Sequence, residues 1–235
     1  MDRLTRKELK SDRFALEVQH SVEYVTDHRR QLILWGGIAA VVVALAVGIF
    51  FYRNYQRDVR QEKLASAMQI LNAAIGQAPN QYAMSFPTKE DQEKAFNKAF
   101  SELTTKYPGT DEALLAEFYI AAHAADLGKI DEATQRFKIV VDGDNKAYSS
   151  MAKLSLARID ASQGKLSDGE KLIQSVIDNP TSLVSKEQAT IALAELIAPK
   201  DPLRARKLLE PLRGFPRGAV SRAALSALSD LDQKK

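Results

Sequence analysis

Three histidines and a scatter of carboxylates are the residue types in this chain that could carry acid–base or metal chemistry. A helical metal site needs two ligands on one face, three or four positions apart. No two of His20, His28 and His123 stand at that spacing, and the first two lie in the N-terminal tail. His123 is read as a surface or packing residue. The acidic pairs Glu90-Asp91 and Asp131-Glu132 fall in the first turns of expected helices. There they complement the positive end of the helix dipole, so they are caps rather than acid–base pairs. There is no cysteine, which removes disulfides and thiolate ligands. No phosphate-binding glycine loop, nucleophile elbow, zinc-protease motif or calcium loop occurs. The expectation is a protein that is not an enzyme, with no cofactor, no metal and no small-molecule substrate. Lys and Arg alternate with Asp and Glu, for a net charge of +3, and no basic stripe with interleaved aromatics appears. Nucleic acid is therefore not an expected partner. What is left is binding to proteins and to a membrane.

The membrane element is plain. Leu32 to Tyr52 is a run of 21 residues without a charge, long enough as a helix to cross the ~30 Å hydrocarbon core of a bilayer. Arg29 and Arg30 precede it and Arg53 follows it. Trp35 at one end and Phe50, Phe51 and Tyr52 at the other suit the two interfaces. A cleaved signal peptide would have a shorter apolar core and a shorter leader than the 31 residues found here. An uncleaved span is expected over residues 32–52. Within it Gly36, Ala40, Ala44 and Gly48 recur every four residues, a small-residue stripe that lets another helix approach closely. The tail, residues 1–31, carries seven Lys and Arg, against four in the comparable downstream flank. The asymmetry is weak, but the short basic tail is the easier side to retain, so the N-terminus is expected in the cytoplasm and the large domain outside. Phe14, Val18, Val22 and Val25 place an apolar face on a tail helix running into the span.

Beyond a linker or helix continuation at 53–62, residues 63–235 are rich in helix formers and poor in Gly and Pro, so the fold class is all-α. Ala133, Gly169 and Ala205 stand 36 residues apart, each early in an apolar helix that follows a turn. The segments are GKIDEATQRFKIVV from Gly128, GKLSDGEKLIQSVI from Gly164 and KDPLRARKLLEPLR from Lys200. Upstream of each lies another helix with small residues, and Ala121 and Ala157 there are again 36 apart. Helix, tight turn, helix, repeated at that period, is the mark of a helical-hairpin solenoid. An earlier pair, Lys63 to Ala74 and Glu90 to Lys106, is split by the loop QAPNQYAMSFPTKED, read as an insertion. Tyr107-Pro108-Gly109-Thr110 stops one helix and caps the next, and Val220 to Leu231 closes the array as a solitary helix with a polar outer face.

These positions resemble the tetratricopeptide repeat. Ala121 and Ala157 match its small residue on helix A, Gly128 and Gly164 its turn, Ala133 and Ala205 its small residue on helix B, and Asn179-Pro180 its terminator. Three departures stand out: Gly169 replaces Ala, Lys200-Asp201-Pro202 replaces the Gly turn, and no Trp marks helix A. Carried over residue by residue, the resemblance places Phe118 and Ala122, Leu154 and Arg158, and Thr190 and Ala194 on the groove lined by helices A. With Arg158 as the single charge among them, such a groove suits apolar or helical segments better than a free C-terminal carboxylate.

The order of parts (charged tail, one span, the exit Phe51-Tyr52-Arg53-Asn54-Tyr55, then repeats) resembles the YfgM-like family. Those proteins are single-pass ancillary subunits of the bacterial Sec translocon in the inner membrane. They carry a periplasmic repeat domain and act beside a membrane-anchored periplasmic chaperone. The resemblance implies an N-in orientation and a scaffold whose partners are Sec subunits and that chaperone. The alternative is a general cell-envelope assembly adaptor, or a self-associating structural protein, unrelated to secretion.

Overall fold

The structure is a computed structural model and describes residues 29–78, 80, 82–216 and 218–233. The apolar face expected on Phe14, Val18, Val22 and Val25 lies outside the described residues, as do His20 and His28. The chain divides into two compact units, Met1–Asp58 and Val59–Lys235.

In the first unit the described residues are helical throughout. They form the N-terminal part of α1 (Arg29–Leu71), which contains no proline and is apolar enough over its early turns to cross a bilayer. Its large side chains from Ile33 to Tyr52 are exposed in the structure, Trp35 and Phe51 among them. A soluble helix would bury such residues, so this length, composition and exposure are compatible with a single-pass anchor.

The second unit is a stack of helices. The helix expected to start near Lys63 is the C-terminal part of α1, because nothing between Arg53 and Leu71 breaks a helix. Its end is held by side chains: the Asn72 amide donates to the Met68 carbonyl at 2.8 Å, and the Gln92 amide to the carbonyls of Ile70 and Ala73 at 2.9 and 3.2 Å. The loop read as a plain insertion contains a small parallel strand pair, β1 (Ala74–Ile75) and β2 (Ser85–Phe86), closed by Ala74 N–H to Met84 O and Gly76 N–H to Phe86 O. Two-residue strands leave no periodicity that a sequence pattern could register.

The remaining helices are α2 (Lys89–Lys106), α3 (Asp111–Asp126), α4 (Ile130–Asp142), α5 (Lys146–Ser162), α6 (Leu166–Asp178), α7 (Lys186–Ile197), α8 (Pro202–Leu209) and α9 (Gly218–Gln233). A 3-10 turn, Glu210–Leu212, follows α8. Caps fix the starts: Thr88, Thr110, Asn145, Ser185 and Asp201 each accept a backbone N–H of their own first turn, and Ser185 with Gln188 completes a reciprocal capping box. The first two hairpin turns are identical in mechanism. Gly128 and Gly164 take φ of 74° and 81°, and the N–H groups of Lys129 and Lys165 reach back to the carbonyls of Ala124 and Asp160 at 2.8 and 2.7 Å. A glycine in the left-handed region after the last helical residue is what that closure requires.

Three apolar clusters succeed one another along the stack. Ala67 of α1 joins Phe96, Phe100 and Leu103 of α2 with Ala116 and Ile120 of α3. Ala121, Ala124, Ala133, Phe137, Val140, Ala152 and Leu156 form the next. Residues from Ala157 through Ile173, Ile197, Leu209 and Leu231 form the third. Ala121, Ala133, Ala157 and Ala205, the small residues picked out by period, have no exposed surface at all. Each marks a place where a helix pair closes without room for a larger side chain. Gly169 follows the same logic more severely: a Cβ there would sit 2.7 Å from the Ala157 carbonyl oxygen, so even alanine is excluded.

Candidate protein-interaction surfaces

The six positions assigned to the helix-A groove do not form one open surface. Phe118 is half-buried, its ring edge-on to Phe137 at 5.4 Å, and it packs with Ala122 against the second cluster. Leu154 packs against the third cluster. The Thr190 hydroxyl is occupied by the Lys186 carbonyl at 2.8 Å. Ala194 has no exposed surface, because α9 lies where a further helix A would stack, and a small cleft of about 100 Å³ between them is lined by Ala194, Leu209, Ala227 and Leu231. Ala194 thus faces α9 in this structure. Arg158 is the open member of the six, with a side chain 65% exposed and a long contact of 3.9 Å to Glu195 on the next hairpin. An ion pair that loose and that wet contributes little.

The small-residue stripe is placed differently. Gly36, Ala40, Ala44 and Gly48 are exposed, and a Cβ added at Gly36 or Gly48 would meet no atom within 4 Å. That face of α1 has open space beside it.

Charged groups in the second unit tie helices together. The Glu112 carboxylate, 6% exposed, accepts the Arg60 guanidinium N–H at 3.0 Å, while Arg60 also stands 6.0 Å from the Tyr107 ring. Removing Arg60 would leave that buried carboxyl group without its hydrogen bond. Glu102 accepts from Lys63 at 2.8 Å and Lys106 at 2.9 Å, and these hydrogen bonds and the two positive charges pull its carboxyl down to about 2. The same contact raises the Lys63 ammonium. At Arg136, burial opposes the charge, but hydrogen bonds to Glu117 and Glu132 outweigh it and the net shift is upward. Burial, then the nearby charge of Asp111, pushes the Tyr148 phenol up.

The Lys63–Glu102 pair lines a cleft of about 380 Å³ between α1 and α2, together with Glu62, Ser66 and Leu103. The His123 ring lies 4.7 Å from Phe96, with Asp126 three residues on beside the same cleft, so the histidine is a packing residue. Among the described residues no three His, Cys, Asp or Glu cluster as metal ligands. One surface escaped the sequence reading. A cleft of about 600 Å³ beside the end of α1 is lined by Met68, Asn72, Ala74, Tyr82 and Met84, with Tyr82 88% exposed. Tyr and Met are out of place in a polar turn, and their presence between Asn80 and Pro87 was the available signal.

The model of the tetratricopeptide repeat-like domain matches residues 29–196 of the chain. Among curated proteins and among solved structures, none matches it.

Proposed function

Because the chain belongs to the tetratricopeptide repeat-like domain family, we propose that it is a membrane-anchored interaction scaffold, an ancillary subunit of the Sec translocon that assists exported proteins beside a membrane-anchored periplasmic chaperone. Domains of this kind are typically protein-interaction modules rather than catalysts. One observation supports the reading above the others: the match opens at Arg29, the first residue of α1, and runs to within one residue of the end of α7. The apolar segment and the hairpins thus belong to one family unit. The translocon and chaperone come from the resemblance in order of parts to the YfgM-like family. The seven basic residues of the tail favour a cytoplasmic N-terminus, with the repeats in the periplasm and the anchor in the inner membrane.

In this reading the stripe of Gly36, Ala40, Ala44 and Gly48 holds a transmembrane partner by close packing. The soluble partner is met at the groove positions Phe118, Leu154 and Arg158, of which Arg158 is the exposed one. Purification of the tagged chain in mild detergent tests the proposal. Sec subunits and a chaperone should co-purify, and Gly36→Leu with Gly48→Leu should release the membrane partner. Recovery of envelope-synthesis proteins instead would favour the adaptor reading. A protease-sensitive N-terminal tag on spheroplasts, with a protected C-terminal domain, would overturn the orientation.

A further inference from the structure

Charge is divided unevenly along the repeat unit. Residues 59–198 carry nineteen Asp and Glu against fifteen Lys and Arg, whereas residues 199–235 carry four against nine. The two ends also differ in shape. At the start of the stack, an open cleft of about 270 Å³ has Leu71, Phe96 and Leu127 as apolar walls. Leu71 and Leu127 are 38% and 46% exposed, a large open surface for leucines in a packed unit. Its rim carries Glu93 and Asp126, with Lys89 the single opposing charge. Neither acid has an ion-pair partner among the described residues.

At the far end, α8 presents the inverse arrangement. Ala205 and Leu209 turn inward, so Leu203, Arg204 and Lys207 share its outward side, with Lys200 just ahead of the Asp201 cap. Leu203 is 73% exposed, the most exposed large aliphatic side chain among the unit's described residues. Arg204 is engaged by Glu170 at 2.7 Å, while Lys200 and Lys207 have no ion-pair partner among the described residues. The result is a leucine knob flanked by free cations.

We infer that the two ends are complementary surfaces for a second copy of this chain: Leu203 of one copy seats in the cleft between Leu71 and Leu127 of the next, and Lys200 and Lys207 meet Glu93 and Asp126. The cleft has room for a leucine side chain, and the rim acids lie where the flanking cations need partners. The contact joins unlike surfaces, so it is heterologous and propagates head to tail instead of closing a two-fold dimer. It is also small, well below the size of a stable free-standing interface, so it forms between chains already confined to one membrane. This goes beyond the scaffold reading and needs no translocon.

Mixed-isotope cross-linking of the intact chain tests it. Full-length protein labelled with ¹⁴N and ¹⁵N is mixed equally, reconstituted in phosphatidylcholine vesicles and treated with a zero-length carbodiimide. Peptides joining Lys200 or Lys207 to Glu93 or Asp126 should appear with one light and one heavy partner. Leu203→Asp should lower their yield at least ten-fold without moving the melting temperature, because the side chain is exposed. Same-isotope peptides alone, mixed peptides between other sites, or full yield from Leu203→Asp would each overturn the inference. So would cross-linking of Lys200 and Lys207, in native membranes, to the carboxylates of a different protein in place of a second copy.

Discussion

The first two hairpins and the third solve one problem with different chemistry. Between α3 and α4, and between α5 and α6, the chain turns on a glycine with positive φ, and two backbone bonds close the turn. Between α7 and α8 there is no glycine. Lys200 and Asp201 both donate to the Ile197 carbonyl at 2.9 and 2.8 Å, Asp201 caps the N–H of Arg204 at 2.9 Å, and Pro202 opens α8 with its preset φ. The first solution depends on backbone freedom and the second on a side-chain acceptor. Both turns deliver a helix whose small residue, Ala133, Gly169 or Ala205, is buried against its neighbour, so the packing is served by either turn.

The strongest way to break that comparison is to attack the packing both turns serve. Gly169→Val would drive side-chain carbon into the Ala157 backbone, and Ala133→Phe would force a ring into a site with no exposed surface. Each should cost about 3 kcal/mol, the upper end of overpacking, read as the loss of unfolding midpoint in denaturant. An unchanged midpoint for either would mean the helices can part without penalty. Next, Gly128→Ala should cost about 1–2 kcal/mol, since a Cβ is strained at φ 74° although nothing stands near it. The corresponding change in the third hairpin, Asp201→Ala, should cost about 1 kcal/mol through its cap, and Asp201→Asn should restore most of it. No loss of midpoint from either Gly128→Ala or Asp201→Ala would erase the distinction between the two turns.

The smallest effect is expected from pH. Glu102 is held at about 2 in the folded chain against a reference near 4.5. A carboxyl depressed on folding stabilises the native state above its unfolded value and loses that contribution as pH falls through its folded value. Melting temperatures of the wild type and Glu102→Gln should therefore differ above about pH 5 and converge towards pH 2. The gap should be slight and shrink with salt, because all three side chains are partly exposed.

The hairpins were legible because their signals are local: a period of 36, a small residue wherever two helices close, and a turn residue at each reversal. Ala121, Ala133, Ala157 and Ala205 all proved fully buried. The Gly169 departure from the repeat pattern turned out to be the same rule under a tighter contact. What was not legible joins residues far apart in the chain. Arg60 reaches Glu112 across 52 positions and Lys63 reaches Glu102 across 39, and neither pair has a spacing that sequence could flag. Exposure along helices A depends on distant residues in the same way. A helix-A position faces solvent or a neighbour according to what stacks beyond it, which is why Ala194 is closed by α9 while Arg158 stays open.

Composition and periodicity by themselves determined the apolar helix, the all-α class and the register of each hairpin, since these depend on residues within a turn or two of one another. The tertiary structure alone decided which faces remain uncovered, that α1 lends Ala67 to the first cluster, and that an acid-rimmed cleft and a cationic leucine knob lie at opposite ends of the repeats. Exposure is a property of the whole stack: it is set by the helices that happen to be missing from a face, and no local pattern encodes an absent neighbour.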